Sequence, residues 1–260
     1  MAILPFYPEF FNNRYYFTML FTSFPFVILV ILTFVVYYNK RLVSYQVPFL
    51  IVASFIFYAY GQPYLLLLLV VSASTNAVAS FLVCTEARRN KRIFYALFGV
   101  LFNIMVLISF KYSPLFGRTL QKFSIAGEIG HLLVLIPLPV GISFYTFQGI
   151  SLLVDVFNHD NRTQNSILPE SRSFLHHYVN TLFFISFFSQ LVAGPILKAS
   201  LFYPQIKPKY FRDIEILKVV KIIILGYFFK MVLADNLKDQ TFWMTYPYYT
   251  NLSSLTLVLL

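Results

Sequence analysis

The chain has 260 residues, of which 58% are hydrophobic and 12% charged, and its mean hydropathy is +0.71. A soluble domain carries about 25% charge, so the composition excludes an ordinary soluble enzyme and indicates an integral membrane protein. The net charge of +10, from 20 basic against 10 acidic residues, reads as basic loops on one membrane face rather than as a nucleic-acid surface.

Met1–Tyr16 is aromatic and polar, with Glu9 and Arg14, and reads as an interfacial segment. It lacks the basic n-region of a cleavable signal peptide, and the first apolar run is too long for one. Phe17–Tyr38 is uncharged and long enough to span, and Lys40 and Arg41 follow it. Val47–Tyr60 is a shorter apolar run that stops at the turn signal Gly61-Gln62-Pro63. Tyr64–Cys84 spans again. Its second half carries Ser72, Ser74, Thr75, Asn76 and Ser80, small polar residues that let helices approach closely. Cys84, the single cysteine, reads as a packing residue. Arg88, Arg89, Lys91 and Arg92 form the densest basic cluster, and Ile93–Phe110 spans back. The basic loops at Lys40 and Arg88 then share one side, and the Gly61 turn takes the other. The positive-inside bias places the N-terminus outside.

Lys111–His131 is a polar loop. Leu132–Phe157 is apolar but interrupted by Pro137, Pro139 and Gly141, which predicts a re-entrant or broken helix. A return to the same side would also leave Lys198, Lys207, Lys209 and Arg212 on the basic face after a span at Phe174–Val192. Tyr203–Arg212 reads as a cytoplasmic interfacial segment. Ile214–Ala234 is an apolar stretch whose Lys218, Lys221 and Lys230 can snorkel. Asp235–Tyr249 is a polar, aromatic loop, and Asn251–Leu260 begins one more apolar run. The expectation is an all-α polytopic bundle forming one membrane domain over 1–260, with no fixed-period repeat.

Few residues could carry chemistry. Gln148, Ser151 and Asp155 fall at i, i+3 and i+7 and share a helix face. Asp155 either lines an internal path, pairs inside the bundle, or sits solvated at the membrane edge. Gln148 is deeper and needs a partner. On the Phe174–Val192 helix His176, Asn180, Gln190 and Gly194 fall near one face; Gln190 with Gly194-Pro195 suits either a polar helix contact or a cavity wall. His176 and His177 are the residue type for a base at neutral pH, but paired histidines at a helix start read as interfacial. His159, Asp155, Asp160, His176 and His177 match no metal-ligand spacing, so no metal is expected. There is no GxSxG elbow and no glycine-rich phosphate loop.

Several runs taken together resemble the membrane-bound O-acyltransferases. They are PLPVGISFYTFQGISLLVDVF (Pro137–Phe157), FFSQLVAGPILK (Phe187–Lys198), KMVLADNL (Lys230–Leu237), FIFYAYGQPYLLLLLVVSASTN (Phe55–Asn76) and LISFKY (Leu107–Tyr112). The likeness is strongest to the bacterial branch with alginate O-acetyltransferase and the D-alanyl transfer protein. It implies a bundle around a tunnel in the bacterial cytoplasmic membrane. Through it an acyl group from a cytoplasmic thioester donor (acetyl-CoA or an acyl carrier) reaches a hydroxyl of an envelope or extracellular polysaccharide such as alginate. A periplasmic or extracellular acyltransferase partner can assist. Tyr145, Gln148, Ser151, Asp155, Asn180 and Gln190 are then expected to line the tunnel. The family's base is the histidine of a Trp-His pair, whereas Trp243 here precedes Met244 and no histidine follows a tryptophan. No catalytic residue is therefore assigned. The chain is expected to be the N-terminal portion of such an enzyme and inactive alone. The rival readings are a transporter or flippase and an inactive membrane scaffold.

Overall fold

The structure is a computed structural model. It describes residues 19, 21–61, 63–121, 127–158, 173–191, 194–195 and 197–241. Met1–Tyr16, His159, Asp160, Trp243 and the apolar run from Asn251 lie outside the described residues. Every described element is helical, and the chain forms two compact units, Met1–Pro208 and Lys209–Leu260.

In the first unit α1 spans Phe24–Tyr37, started by Ser23, whose Oγ accepts the Phe26 N–H. A 3₁₀ turn, Lys40–Tyr45, leads into α2 (Gln46–Ala59). Next come α3 (Leu65–Thr85), α4 (Arg89–Lys111), α5 (Ser113–Leu120) and α6 (Gly127–Leu135). They are followed by α7 (Ile142–Asn158), α8 (Phe174–Ser186), α9 (Phe188–Leu191) and α10 (Ala199–Phe202). Among the described residues Lys40–Ala59, Leu65–Thr85 and Arg89–Lys111 are long and apolar enough to cross a membrane; at ~1.5 Å per residue they reach roughly 30–35 Å. The small face of α3 turns inward as its composition predicts, burying Ser72, Ala73, Asn76, Ala77 and Ser80.

The helices keep a common register. Tight turns make α2, α3 and α4 alternate in direction, so Lys40, Arg41 and the Arg88–Arg92 cluster mark one end of the bundle. The α5–α6 hairpin follows α4 at the other end. The expected break then appears: residues 137–139 belong to no helix, and Gly141 takes a left-handed φ of +74°. A Cβ there would lie 2.2 Å from the Leu191 carbonyl oxygen, so both the backbone and the neighbour require glycine.

After the break α7 runs back to the arginine end. Arg92 proves this: its Nε donates to the Val83 carbonyl (3.1 Å), its Nη2 donates to the Phe157 carbonyl (3.2 Å), and its guanidinium covers the Phe157 ring. The stretch around 132–157 is thus broken rather than re-entrant. The return belongs to the next segment. α8 starts at the arginine end, where Phe174 packs edge-on against Phe81. It runs inward to a break at Phe187, and Leu191 meets Gly141. The chain then comes back, and Ser200 reaches Asp155 near the end of α7. Residues 174–200 therefore leave the arginine end and return to it. The physical reason is local: Phe187 leaves the helical conformation (ψ 114°), and the Phe188 N–H that the helix gives up is accepted by Ser54 Oγ at 3.1 Å. Irregular backbone at membrane depth survives only when such groups are covered by protein or water.

In the second unit α11 (Ile216–Tyr227) continues as a π-helical segment, Phe228–Ala234, and then α12 (Asp235–Thr241). The widened turn lies in KMVLADNL, and Lys230 pairs with Asp235 across the junction.

Candidate functional site: the amide pair inside the helical bundle

The centre of the bundle is held by amides. Asn76 of α3 and Asn103 of α4, both fully buried, exchange hydrogen bonds. Asn76 Nδ2 donates to Asn103 Oδ1 at 3.1 Å, and Asn103 Nδ2 donates to Asn76 Oδ1 at 2.8 Å. Their remaining protons go to the Ser72 and Gly99 carbonyls, each one turn back. Gly149 of α7 lies over this pair, and a Cβ there would stand 2.5–2.7 Å from the Asn76 amide atoms. The glycine is what lets α7 seat on the α3–α4 pair.

Gln148, the neighbour of Gly149, turns toward the re-entrant segment. Its Nε2 donates to Gln190 Oε1 at 2.9 Å, and both side chains are buried. Gln148 Oε1 has no partner, nor has the hydroxyl of Tyr145 one turn away on the same helix. The structure thus joins Gln148 to Gln190 and places Tyr145 beside them. Asn180 is buried on α8, and Ser151 is half-buried.

Asp155 stands apart, two turns toward the arginine end. Its Oδ2 accepts both the Ser200 N–H and the Ser200 hydroxyl at 3.2 Å, so it caps α10. Of the alternatives open from the sequence, pairing inside the bundle is the one this geometry takes.

Two expectations from sequence are corrected. His176 is exposed, but His177 is buried rather than interfacial. The Ser80 hydroxyl donates to the Asn76 carbonyl at 2.6 Å, so at 2.8 Å it is the His177 Nε2–H that donates to Ser80 Oγ. His177 Nδ1 is left bare and buried. Tyr203 is also buried, not interfacial: its hydroxyl bonds Thr181 at 2.9 Å, and its ring packs on Phe184. His177 is covered by α3, through Ser80 and Phe81, and Tyr203 by α8, through Thr181 and Phe184. The beginning of a helix says nothing about which other helix packs over it. Among the described residues no three His, Cys, Asp or Glu side chains stand close enough to hold a metal ion.

Over 204 residues the chain is 33% identical to a protein of Helicobacter pylori named peptidoglycan O-acetyltransferase, a match that takes in 72% of this chain and 38% of that protein. Over 182 residues it is 29% identical to the "Probable alginate O-acetylase AlgI" of Pseudomonas aeruginosa, covering 69% of this chain and 33% of that protein. The chain resembles these O-acetyltransferases over about 70% of its own length. The AlgI of Pseudomonas syringae pv. tomato matches the same share of both chains at 28% identity. The chain therefore spans little more than a third of the length of these relatives. No family model matches it, and no solved structure does. The membrane-bound O-acyltransferase resemblance read from the motifs and these relatives agree on acyl transfer.

Proposed function

We propose that this chain forms part of a membrane O-acetyltransferase that moves an acetyl group from a thioester to a hydroxyl of an envelope or extracellular polysaccharide. The kinship with proteins named for that transfer carries the reading. In it the acceptor oxygen attacks the thioester carbonyl, the thiolate leaves, and the hydroxyl proton passes to a base. No histidine of this chain follows a tryptophan, so none is given the role of base. The donor, acetyl-CoA or an acyl carrier, approaches from the arginine end, taken as the cytoplasmic side of a bacterial membrane by the positive-inside bias. Tyr145, Gln148 and Gln190 line the path of the acceptor, with Ser151 and Asn180 on its margins. Asp155 holds the returning segment in place. A protein wall without bulk water suits the chemistry, because water would otherwise hydrolyse the donor.

The test is acetate released by mild base from cell-envelope polysaccharide, measured in a strain without its own homologue that carries the whole protein. Acetate should appear with the protein and vanish when Gln148 and Gln190 are both replaced by methionine. Polysaccharide or sugar movement across reconstituted vesicles, with no acetyl transferred, would replace this reading with a transporter.

A further inference from the structure

In the second unit, the first two turns of α11 open onto a hollow of about 670 Å³. Among the described residues its lining includes three apolar side chains, Ile214, Leu217 and Ile222, and three charged ones, Glu215, Lys218 and Lys221. Pockets of roughly 300–1,000 Å³ hold small ligands, so there is room for a headgroup and the first carbons of its tails.

The charges around the hollow do not cancel. Glu215 faces Lys218 at 3.6 Å. Asp213 accepts the Tyr210 N–H at 3.3 Å and stands 3.7 Å from Arg212, whose guanidinium lies over the Tyr210 ring. Both carboxylates of the stretch are thus engaged locally. Lys221, one turn after Lys218 on the same helix face, forms no ion pair among the described residues. Between Lys209 and Lys221 four cations stand against two carboxylates.

The depth of the hollow follows from its surroundings. No residue of α11 is buried by protein, and Ile222–Leu225 is an unbroken apolar run. An exposed apolar surface of that kind marks contact with a membrane. Lysines at the end of such a helix reach for the headgroup layer. Tyr210 and Phe211, both exposed, are the aromatic residues that favour the same layer. The basic excess places it on the side whose leaflet is anionic. Two ammonium groups beside an apolar hollow at that depth suit an amphiphile with an anionic head. A hydrophilic polyanion would leave Ile214, Leu217 and Ile222 wet. A zwitterionic lipid brings a phosphate already balanced by its own cation.

We infer that Lys218, Lys221 and this hollow form a binding site for an anionic phospholipid. The phosphate lies at the two ammonium groups, and the acyl chains run along Ile214, Leu217 and Ile222. The site does not depend on the acetyl-transfer reading.

The experiment counts lipids on the detergent-solubilised whole protein by native mass spectrometry, with dioleoyl phosphatidylglycerol and dioleoyl phosphatidylcholine as probes. Phosphatidylglycerol should bind about 25-fold more tightly, about fivefold for each ammonium group, and added salt should shrink the margin. Lys218→Gln/Lys221→Gln should erase the margin, and Lys218→Arg/Lys221→Arg should keep it. Both lysines are exposed, so neither pair disturbs packing, and the arginine pair together with the salt series decides even where the glutamine pair fails to fold. Lys40→Gln/Arg41→Gln removes as much charge elsewhere and should leave the margin as it is. Equal affinity for the two lipids in the parent protein, or an unchanged margin in the glutamine pair, would overturn the site. An equal loss in the Lys40/Arg41 variant would overturn it too, since general charge and not this hollow would then attract the lipid. Displacement of phosphatidylglycerol by equimolar inorganic phosphate would replace it with a site for the free ion.

Discussion

Two amide pairs, met by adjacent residues of α7, divide the labour of this bundle. Asn76 and Asn103 bond to each other twice and give their spare protons to backbone carbonyls of their own helices. Gln148 and Gln190 share a single bond and leave Gln148 Oε1 open. The first pair joins two continuous helices, α3 and α4, whose register the covalent turn at residues 86–88 already limits. The second joins a continuous helix to the turn of a segment that goes in and comes back. A closed network rigidifies; an open one keeps bonding capacity for something else. The difference between the pairs separates scaffold from candidate site more sharply than burial does, because all four side chains are buried.

The largest expected effect strikes the closed pair from above. Gly149→Val pushes a branched side chain into the Asn76 amide and should cost about 3 kcal/mol, read as the thermal midpoint of the purified protein in detergent. A midpoint within a degree of the parent would show that α7 does not seat on the pair. Asn76→Leu removes both reciprocal bonds and strands Asn103, for about 2 kcal/mol by the same measurement; a double cycle with Asn103→Leu should recover part of that loss. Asp155→Ala takes the cap from Ser200 and should cost about 1 kcal/mol. Its signature is local: faster proteolysis near Lys198, with the midpoint hardly moved. The smallest change is expected at the open pair. Gln148→Met together with Gln190→Met should alter the midpoint by no more than about 0.5 kcal/mol, the scale of one interhelical hydrogen bond in a membrane. A loss matching that of Asn76→Leu would erase the distinction between the pairs.

Much of this arrangement could be read in advance at the level of single helices. The Pro137, Pro139 and Gly141 interruption foretold the break, because proline and a left-handed glycine are local backbone facts. The small polar face of α3 foretold close packing, and Gln148 on a greasy helix had to find a partner. Asn103 carries the same signal on α4, a lone amide in an apolar run one turn from Gly99. What could not be read is who meets whom. Asn76 and Asn103 are 27 residues apart, Gln148 and Gln190 are 42, and Asp155 and Ser200 are 45. The charge bias required a return to the basic side somewhere between Leu132 and Lys198, but it weighs only loops, so two placements of that return satisfied it equally. The tertiary structure chose the second through Arg92 on the end of α7 and Ser54 on the Phe188 N–H.

The sequence by itself determined that this is a helical membrane bundle of acyltransferase kin, because hydropathy, proline and glycine act through lipid and backbone, one segment at a time. Only the tertiary structure decided that His177 and Tyr203 are interior, that Asp155 is a cap, and that Gln148 Oε1 is left without a partner. Burial and hydrogen-bond satisfaction are properties of neighbours brought from elsewhere in the chain, and no stretch of residues contains its own.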